Sequence, residues 1–190
     1  MKKTRKALKG LRAKIDSIDS TLVRLLNKRA GISQKIGAVK REKNIDIYAP
    51  DRETQVYHSA LERNNGPLMD DTIKAIYREI MSGTLALEGP LKVAYLGPQA
   101  TFTHQASLCK FGSSVSYIDC NTITDVFREV DNGRATYGVV PIENSIEGAV
   151  NHTLDMFADS DLRVCSEVYL EISHSLLSKE PDKRRIKKVY

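Results

Sequence analysis

A long apolar seam dominates the first forty residues of this 190-residue chain. Its members alternate in steps of three and four residues around a single charged position, Arg29. The apolar members are Leu8, Leu11, Ile15, Ile18, Leu22, Leu25, Ile32, Ile36 and Val39. This spacing predicts one helix over about residues 3–42, roughly 60 Å long. A small domain cannot bury such a helix by itself, so we expect it to pack against a second copy of the chain.

Two further helices are expected before residue 90. One is predicted to start at Pro50, a residue favoured in the first turn of a helix, and to end at about Asn64, where an Asn-Gly-Pro stretch follows. The next is predicted from about Met69 to Glu88, before a Gly-Pro pair. The pattern therefore indicates an all-helical domain over residues 1–90.

After residue 90 the pattern changes to short strands alternating with helices. Strands are expected at Leu91–Leu96, Val115–Ile118, Tyr137–Ile142 and Leu162–Ile172, and helices at Thr101–Phe111, Thr122–Asp131 and Asn144–Ala158. The last two helices would open with capping boxes, Thr122-x-x-Asp125 and Asn144-x-x-Glu147. This order is typical of an α/β domain with a largely parallel sheet, here over residues 91–190. Arg184–Tyr190 has the pattern of a strand that starts with nothing to pair it, so we expect an incomplete lobe.

Charge is distributed unevenly between the two halves. The first 90 residues carry a net charge of +7 and the remaining 100 a net charge of −2. A basic half suits either nucleic acid or a small anion. The aromatic residues of the first half are three tyrosines outside any basic cluster, which disfavours base stacking and hence nucleic-acid binding.

Other sequence features exclude several classes of protein. The three cysteines, Cys109, Cys120 and Cys165, have no zinc-binding or redox spacing, and the four histidines are scattered. No apolar run has the length of a membrane span or of a signal peptide. We therefore expect a cytoplasmic protein without a metal site.

The charged position in the seam is the first indication of a ligand. A guanidinium in an apolar seam should face an anion, although a polar residue there can also set the register of a coiled coil. Lys40 lies 11 residues after Arg29, which places both on one helix face about 16 Å apart. Arg12 is about 25 Å from Arg29 along the helix and rotated by about 100°. It can therefore contact the ligand of Arg29 and Lys40 only from an antiparallel partner chain.

Four residues on the other two helices complete this candidate site. Arg52 and Glu53 lie in the first turn of the second helix, and Thr84 and Glu88 share one face of the third. Each of them alone could equally be a solvated surface residue. Taken together with the basic positions of the first helix, they indicate a site for a small dicarboxylate.

The segments LRAKIDSIDSTLVRLLNKRAGISQKIGAVK, DRE and REIMSGTLALE are similar to the all-helical chorismate mutases over almost all of residues 5–88. The resemblance implies an intertwined dimer of three-helix chains. It places seven residues on the active-site positions of that family, with the first supplied by the partner subunit: Arg12, Arg29, Lys40, Arg52, Glu53, Thr84 and Glu88. Many relatives have Gln in place of Glu88 and an acidic residue in place of Ala49.

The resemblance implies the rearrangement of chorismate to prephenate, which needs no cofactor, metal or nucleophile. Arg12 and Arg29 would bind the two carboxylates. Lys40 and Glu88 would donate to the ether oxygen, for which Glu88 would have to carry a proton. Glu53 would hold the substrate hydroxyl.

Two later segments, VAYLGPQATFTHQA and YGVVPIENSIEGAVNHTLD, resemble the first lobe of prephenate dehydratases, which have a fold like that of periplasmic binding proteins. Each segment places a helix N-terminus after a strand, a suitable anion site, although ordinary capping explains the same residues. The resemblance implies that Thr101, Asn144 and Ser145 line a substrate cleft.

The chain contains no Thr-Arg-Phe tripeptide, the catalytic motif of the dehydratase family. We therefore expect an active mutase joined to a truncated, inactive dehydratase lobe, both belonging to L-phenylalanine biosynthesis. The expected partners are chorismate, prephenate and a second copy of the chain, with neither nucleic acid nor a membrane. The alternative from another class is a dimeric coiled-coil regulator that binds an anion without catalysis.

Overall fold

The computed structural model describes residues 2–43, 45, 48–144, 148–173 and 175–188. Three α-helices come first, followed by short strands that alternate with helices. The helices are α1 (Lys2–Glu42), α2 (Pro50–Glu62), α3 (Asp70–Glu88), α4 (Phe102–Phe111), α5 (Ile123–Asp131) and α6 (Asn151–Ala158). The strands are β1 (Lys92–Leu96), β2 (Ser116–Cys120), β3 (Tyr137–Val139), β4 (Glu143–Asn144) and β5 (Gly148–Ala149), and a 3₁₀ turn spans Lys183–Arg185.

The first three helices lie where the apolar pattern predicted them. α1 packs on α3 through its C-terminal third, where Gly37 lies against the backbone of Glu88. A Cβ atom at position 37 would lie 2.7 Å from both the Cα and the carbonyl oxygen of Glu88. Only glycine allows this approach, and it brings the polar face of α1 directly onto the end of α3.

α1 leaves its apolar seam exposed. Nine large side chains, each 46–58% exposed, form this exposed seam: Leu8, Leu11, Ile15, Ile18, Leu22, Leu25, Ile32, Ile36 and Val39. Monomeric proteins rarely leave a continuous apolar stripe of this length in water. No helix in the described part of the chain is long and apolar enough to cross a membrane.

The second half of the chain is built on a parallel sheet, as the strand-helix order predicted. β1 is the central strand and pairs in parallel with β2 on one side and β3 on the other. Its interior residues Val93, Ala94 and Tyr95 are buried. The predicted cap of α5 is confirmed, since Thr122 Oγ1 accepts from the backbone N–H of Asp125 at 3.1 Å.

The predicted capping box at Asn144 is wrong. Asn144 lies in β4, which pairs antiparallel with β5, so its backbone is extended and α6 begins only at Asn151. Gly148, at φ +80°, lies directly after the residues that connect the two strands. Glu147, the other half of the predicted box, lies outside the described residues. The sequence contains the Asn-x-x-Glu pattern, but Asn144 pairs with Gly148 in an antiparallel ladder instead of starting a helix.

Two other strand predictions are wrong, and one is too long. Residues 162–172 alternate apolar and polar positions but form no regular structure, and residues 186–188 are likewise irregular. β3 ends at Val139 rather than at position 142. Alternation of apolar and polar residues defines the two faces of a strand, but it does not provide a neighbouring strand to pair with. Without such a neighbour, the backbone N–H and C=O groups of the segment form hydrogen bonds with water instead.

The helical and α/β parts share one core. Tyr48, just before α2, packs its ring against Phe111 and Tyr137 with centroids 5.3 and 5.2 Å apart. On the adjacent surface, the N–H and Oγ of Ser113 donate to the Glu79 carboxylate at 3.0 and 2.6 Å. These bonds lower the pKa of Glu79. The end of α4 is therefore fixed against α3.

Candidate active site

A cavity of about 710 Å³ opens between α1, α2, α3 and the end of α4. Six of the seven residues that the sequence assigned to the mutase site line it: Arg29, Lys40, Arg52, Glu53, Thr84 and Glu88. The lining also includes three further cations, Lys28, Arg78 and Lys110. Six cations therefore face two carboxylates, which favours a small ligand with more than one negative charge.

Arg29 is held by the C-terminal part of α3. Its Nη1 donates to Thr84 Oγ1 at 2.8 Å, and that hydroxyl lies within 3.0 Å of the carbonyls of Ile80 and Met81. One guanidinium nitrogen is thus fixed by protein. The remaining donors of the planar fork are suited to a carboxylate in the cavity.

Lys40 and Glu88 meet at the other end of the cavity. Lys40 Nζ lies 3.6 Å from Glu88 Oε2, and both side chains are largely buried. The neighbouring Arg41 donates to the backbone carbonyl of Glu88. Within the described part of the chain, Glu88 Oε2 is buried without a hydrogen-bond partner. Such an atom is costly unless a ligand completes its bonding.

Glu53 is held from two sides. The Tyr48 hydroxyl donates to Glu53 Oε2 at 2.6 Å, and Lys110 Nζ lies 3.1 Å from the same oxygen. Burial, together with the bond to Glu53, raises the pKa of Tyr48 well above its ordinary value. Tyr48 therefore stays a hydrogen-bond donor at every physiological pH. Arg52, one residue earlier, lies at the exposed rim and donates to Gln55 at 3.2 Å.

Arg12 is the one assigned mutase residue that does not line the cavity. It lies on the exposed part of α1, seventeen residues before Arg29 on a continuous helix. The single chain therefore does not bring it to the site, in agreement with the helix geometry, which allowed its participation only from another copy.

Several lining residues were missed by sequence reasoning. Lys110 and Phe111 come from α4, in the other half of the chain, and no local pattern points to them. Tyr48 carried a weak signal, as an aromatic residue placed just before the Pro50 helix start. Arg78 and Lys28 resembled ordinary surface cations on amphipathic helices.

The candidate residues of the α/β part follow two neighbouring strands. Thr101 follows β1 and Asn144 follows β3, so both lie toward the carboxyl edge of the parallel sheet, where ligands of such sheets bind. Thr101 caps α4, accepting from the N–H of His104 at 3.3 Å and donating to the carbonyl of Leu96 at 3.2 Å. Asn144 is exposed. Ser145 lies outside the described residues.

Two known protein-family models match successive parts of the chain. The model for chorismate mutase type II matches residues 11–89, and the model for prephenate dehydratase matches residues 93–190. The chain belongs to the prephenate dehydratase family and carries a type II chorismate mutase region in front. These matches favour an enzyme over the coiled-coil regulator.

Curated relatives combine the same two regions. The chain is 48% identical over 187 residues to the bifunctional chorismate mutase/prephenate dehydratase of Aquifex aeolicus, covering 96% of this chain and 52% of the relative. It is 47% identical to the protein of that name from Pseudomonas aeruginosa, with 93% and 50% covered. The chain thus spans about half the length of these relatives. A solved prephenate dehydratase from Streptococcus mutans matches 37% of each chain at 36% identity, with a TM-score of 0.36.

In the described part of the chain, no group of three or more His, Cys, Asp or Glu residues is placed to hold a metal ion.

Proposed function

We propose that residues 1–90 form a chorismate mutase domain, which rearranges chorismate to prephenate. The observation that carries the proposal is the cavity itself. Six of the residues that the sequence predicted as one site come from three helices and line one space with an excess of positive charge. A small dicarboxylate substrate fits a cavity of about 710 Å³ that is lined by more cations than carboxylates.

The proposed mechanism uses binding and electrostatics alone. The rearrangement breaks an ether C–O bond as a new C–C bond forms within one molecule, so the protein has only to fold the substrate and stabilise charge on the ether oxygen. Arg29 would bind one carboxylate. Lys40 and Glu88 would donate to the ether oxygen, and Glu53 would accept from the hydroxyl.

We propose that the active form is a homodimer through α1. The exposed seam of α1 supports this, because a second α1 would bury it. An antiparallel partner would also bring its Arg12 toward the cavity. Each dimer would then hold two sites, each built from both chains.

We propose that residues 91–190 belong to a prephenate dehydratase domain, with Thr101, Asn144 and Ser145 beside prephenate at the carboxyl edge of the sheet. In the whole bifunctional protein the mutase product would become phenylpyruvate through loss of water and carbon dioxide. We expect no such turnover from residues 91–190, because they contain no Thr-Arg-Phe tripeptide. The pathway would be L-phenylalanine biosynthesis in the cytoplasm. Its partners would be chorismate and prephenate, with no nucleic acid, membrane, metal or cofactor involved.

A mutase assay on the purified chain tests the first proposal. Chorismate absorbance is expected to decay and prephenate to accumulate in equal amount, with no effect of EDTA or excess DNA. Arg29→Ala is the matched variant, because it removes a cavity cation and keeps the α1 backbone. Wild-type protein that leaves chorismate at the buffer rate would reject the mutase proposal.

A further inference from the structure

The wall of the mutase cavity is not made by the helical part alone. The last turn of α4, in the dehydratase-family half of the chain, contributes Lys110 and Phe111 to the lining. Lys110 is largely buried, with about a fifth of its side chain exposed. A lysine in that position has lost most of its water, so its ammonium needs partners inside the protein.

The partners of Lys110 are Glu53 and the ring of Tyr48. Its Nζ lies 3.1 Å from Glu53 Oε2 and 5.7 Å from the centroid of Tyr48. The Tyr48 hydroxyl reaches that same Oε2 at 2.6 Å. The Tyr48 hydroxyl and the Lys110 ammonium therefore both contact Oε2 of the carboxylate, and we expect Oε1 to accept from a ligand hydroxyl.

The backbone around Lys110 is well fixed. Phe111 stacks on Tyr137 with ring centroids 5.6 Å apart. Gly112 follows at φ +71°, so tightly placed that a Cβ would lie 2.5 Å from the Cβ of Ser82. Ser113 is then bonded to Glu79. Lys110 is thus presented to Glu53 from the last turn of α4, and the residues that follow this turn pack against α3.

We propose that Lys110 is a positioning residue of the mutase site, which fixes the Glu53 carboxylate so that Oε1 faces the substrate hydroxyl. The inference rests on the proposed mutase function. It means that the dehydratase-family half completes the mutase site, and that the two activities are joined by a structural contact.

Lys110→Met is the decisive variant, since it keeps most of the length of the side chain and removes the charge. We expect kcat/KM for chorismate to fall roughly 10- to 100-fold, as for a misplaced binding group. Lys110→Arg should restore most of the activity. Lys74→Met is the matched control, because it removes an exposed lysine outside the cavity, whose Nζ lies 3.4 Å from Asp71. This variant should leave kcat/KM for chorismate unchanged.

A double variant separates positioning from a merely structural role. If Lys110 acts through Glu53, then Lys110→Met added to Glu53→Gln should cost little beyond Glu53→Gln alone. Thermal unfolding of each variant verifies that it is folded. Losses that multiply, or a folded Lys110→Met variant with wild-type kcat/KM, would overturn the role of Lys110 while leaving the mutase proposal intact. An inactive wild type would reject both.

Discussion

Glu88 lies where three constraints meet. Its backbone carbonyl accepts a hydrogen bond from Arg41, and its backbone lies against Gly37. Its buried Oε2 lies 3.6 Å from Lys40 Nζ. The charge of Lys40 alone does not satisfy the hydrogen-bonding capacity of that oxygen. The burial of this oxygen without a hydrogen-bond partner among the described residues supports Glu88 as a group that bonds to a ligand.

The first prediction concerns the donor at position 88. Glu88→Gln should keep mutase activity of wild-type order, because an amide donates to the ether oxygen in every protonation state. Glu88→Ala should lose roughly 10²- to 10³-fold in kcat, as expected for one missing donor to a developing oxyanion. Steady-state kinetics on both folded variants measures this. Equal activities of the two variants would remove Glu88 from the proposed chemistry.

A second residue-scale prediction follows from Tyr48. Burial raises its pKa far above the ordinary value of about 10, so the folded protein keeps a proton that the unfolded chain releases. The stability from this tyrosine is complete below about pH 10 and is lost as pH rises above it, by up to about 1.4 kcal/mol per pH unit.

Tyr48→Phe should therefore be less stable than wild type at pH 8, having lost the bond to Glu53, yet should lose less stability between pH 10 and 11. Urea unfolding across this range measures both effects. Tyr169→Phe is the control, because Tyr169 is 87% exposed and should leave the slope unchanged. Parallel pH dependences for wild type and Tyr48→Phe would contradict the prediction.

Residue identities predicted part of this site and not the rest. Arg29 was found because a charge in an apolar seam violates the helical pattern, and Lys40 because it shares that face. Lys110 could not be found, since its neighbourhood in α4 is ordinary and its importance arises only when the fold brings it 3.1 Å from Glu53, fifty-seven positions earlier.

At the scale of elements, the contact between α1 and α3 depends on the absence of a side chain at Gly37. An added Cβ at Gly37 would lie 2.7 Å from Glu88 backbone atoms on a neighbouring helix. Backbone cannot swing aside as a side chain does, so the helices would have to separate and carry Glu88 away from Lys40.

Gly37→Ala should therefore destabilise the protein and lower kcat, although alanine is the better helix former. Gly10→Ala is the matched control on the same helix, because a Cβ there meets nothing within 4 Å in the chain. That variant should gain about 0.5–1 kcal/mol from helix propensity. Chemical unfolding measures the free energy of unfolding of the two variants, and mutase assays measure their kcat. A stabilised, fully active Gly37→Ala variant would contradict the prediction.

Elements formed by interactions between residues close in sequence were predicted well, and elements that depend on a pairing strand were not. α1, α2 and α3 were predicted within about two residues, since their periodicity and end signals are local. The Asn144 box failed because β4 gained a partner in β5, four positions later. The alternating run at 162–172 failed for the opposite reason, since it found no partner among the described strands.

At the scale of the whole molecule, the exposed seam of α1 and the distant Arg12 support the same dimer. The dimer proposal predicts complementation between two inactive chains. Arg12→Ala and Arg29→Ala homodimers should each be nearly inactive, whereas a mixed dimer should contain one site with both arginines intact.

Mixing the two variants under conditions that allow subunit exchange should restore activity, up to roughly a quarter of wild type for random pairing of shared sites. Native mass spectrometry of chains with different tags verifies that mixed dimers form. Mixed dimers without recovered activity would show that Arg12 does not serve the partner's site.

The junction between the two halves is itself buried. Glu88, Gly89 and Leu91 are all within the protein, and Pro90 between them is the exposed residue. Domains that move independently are joined by exposed, flexible linkers, which proteases cut readily. Limited digestion of this chain should spare the junction and begin in the irregular, exposed stretch after Ala158. A truncation placed at residue 90 would remove Lys110 and Phe111, which contact Glu53 and Tyr48. The separated helical part would therefore not keep the cavity that it has within the chain.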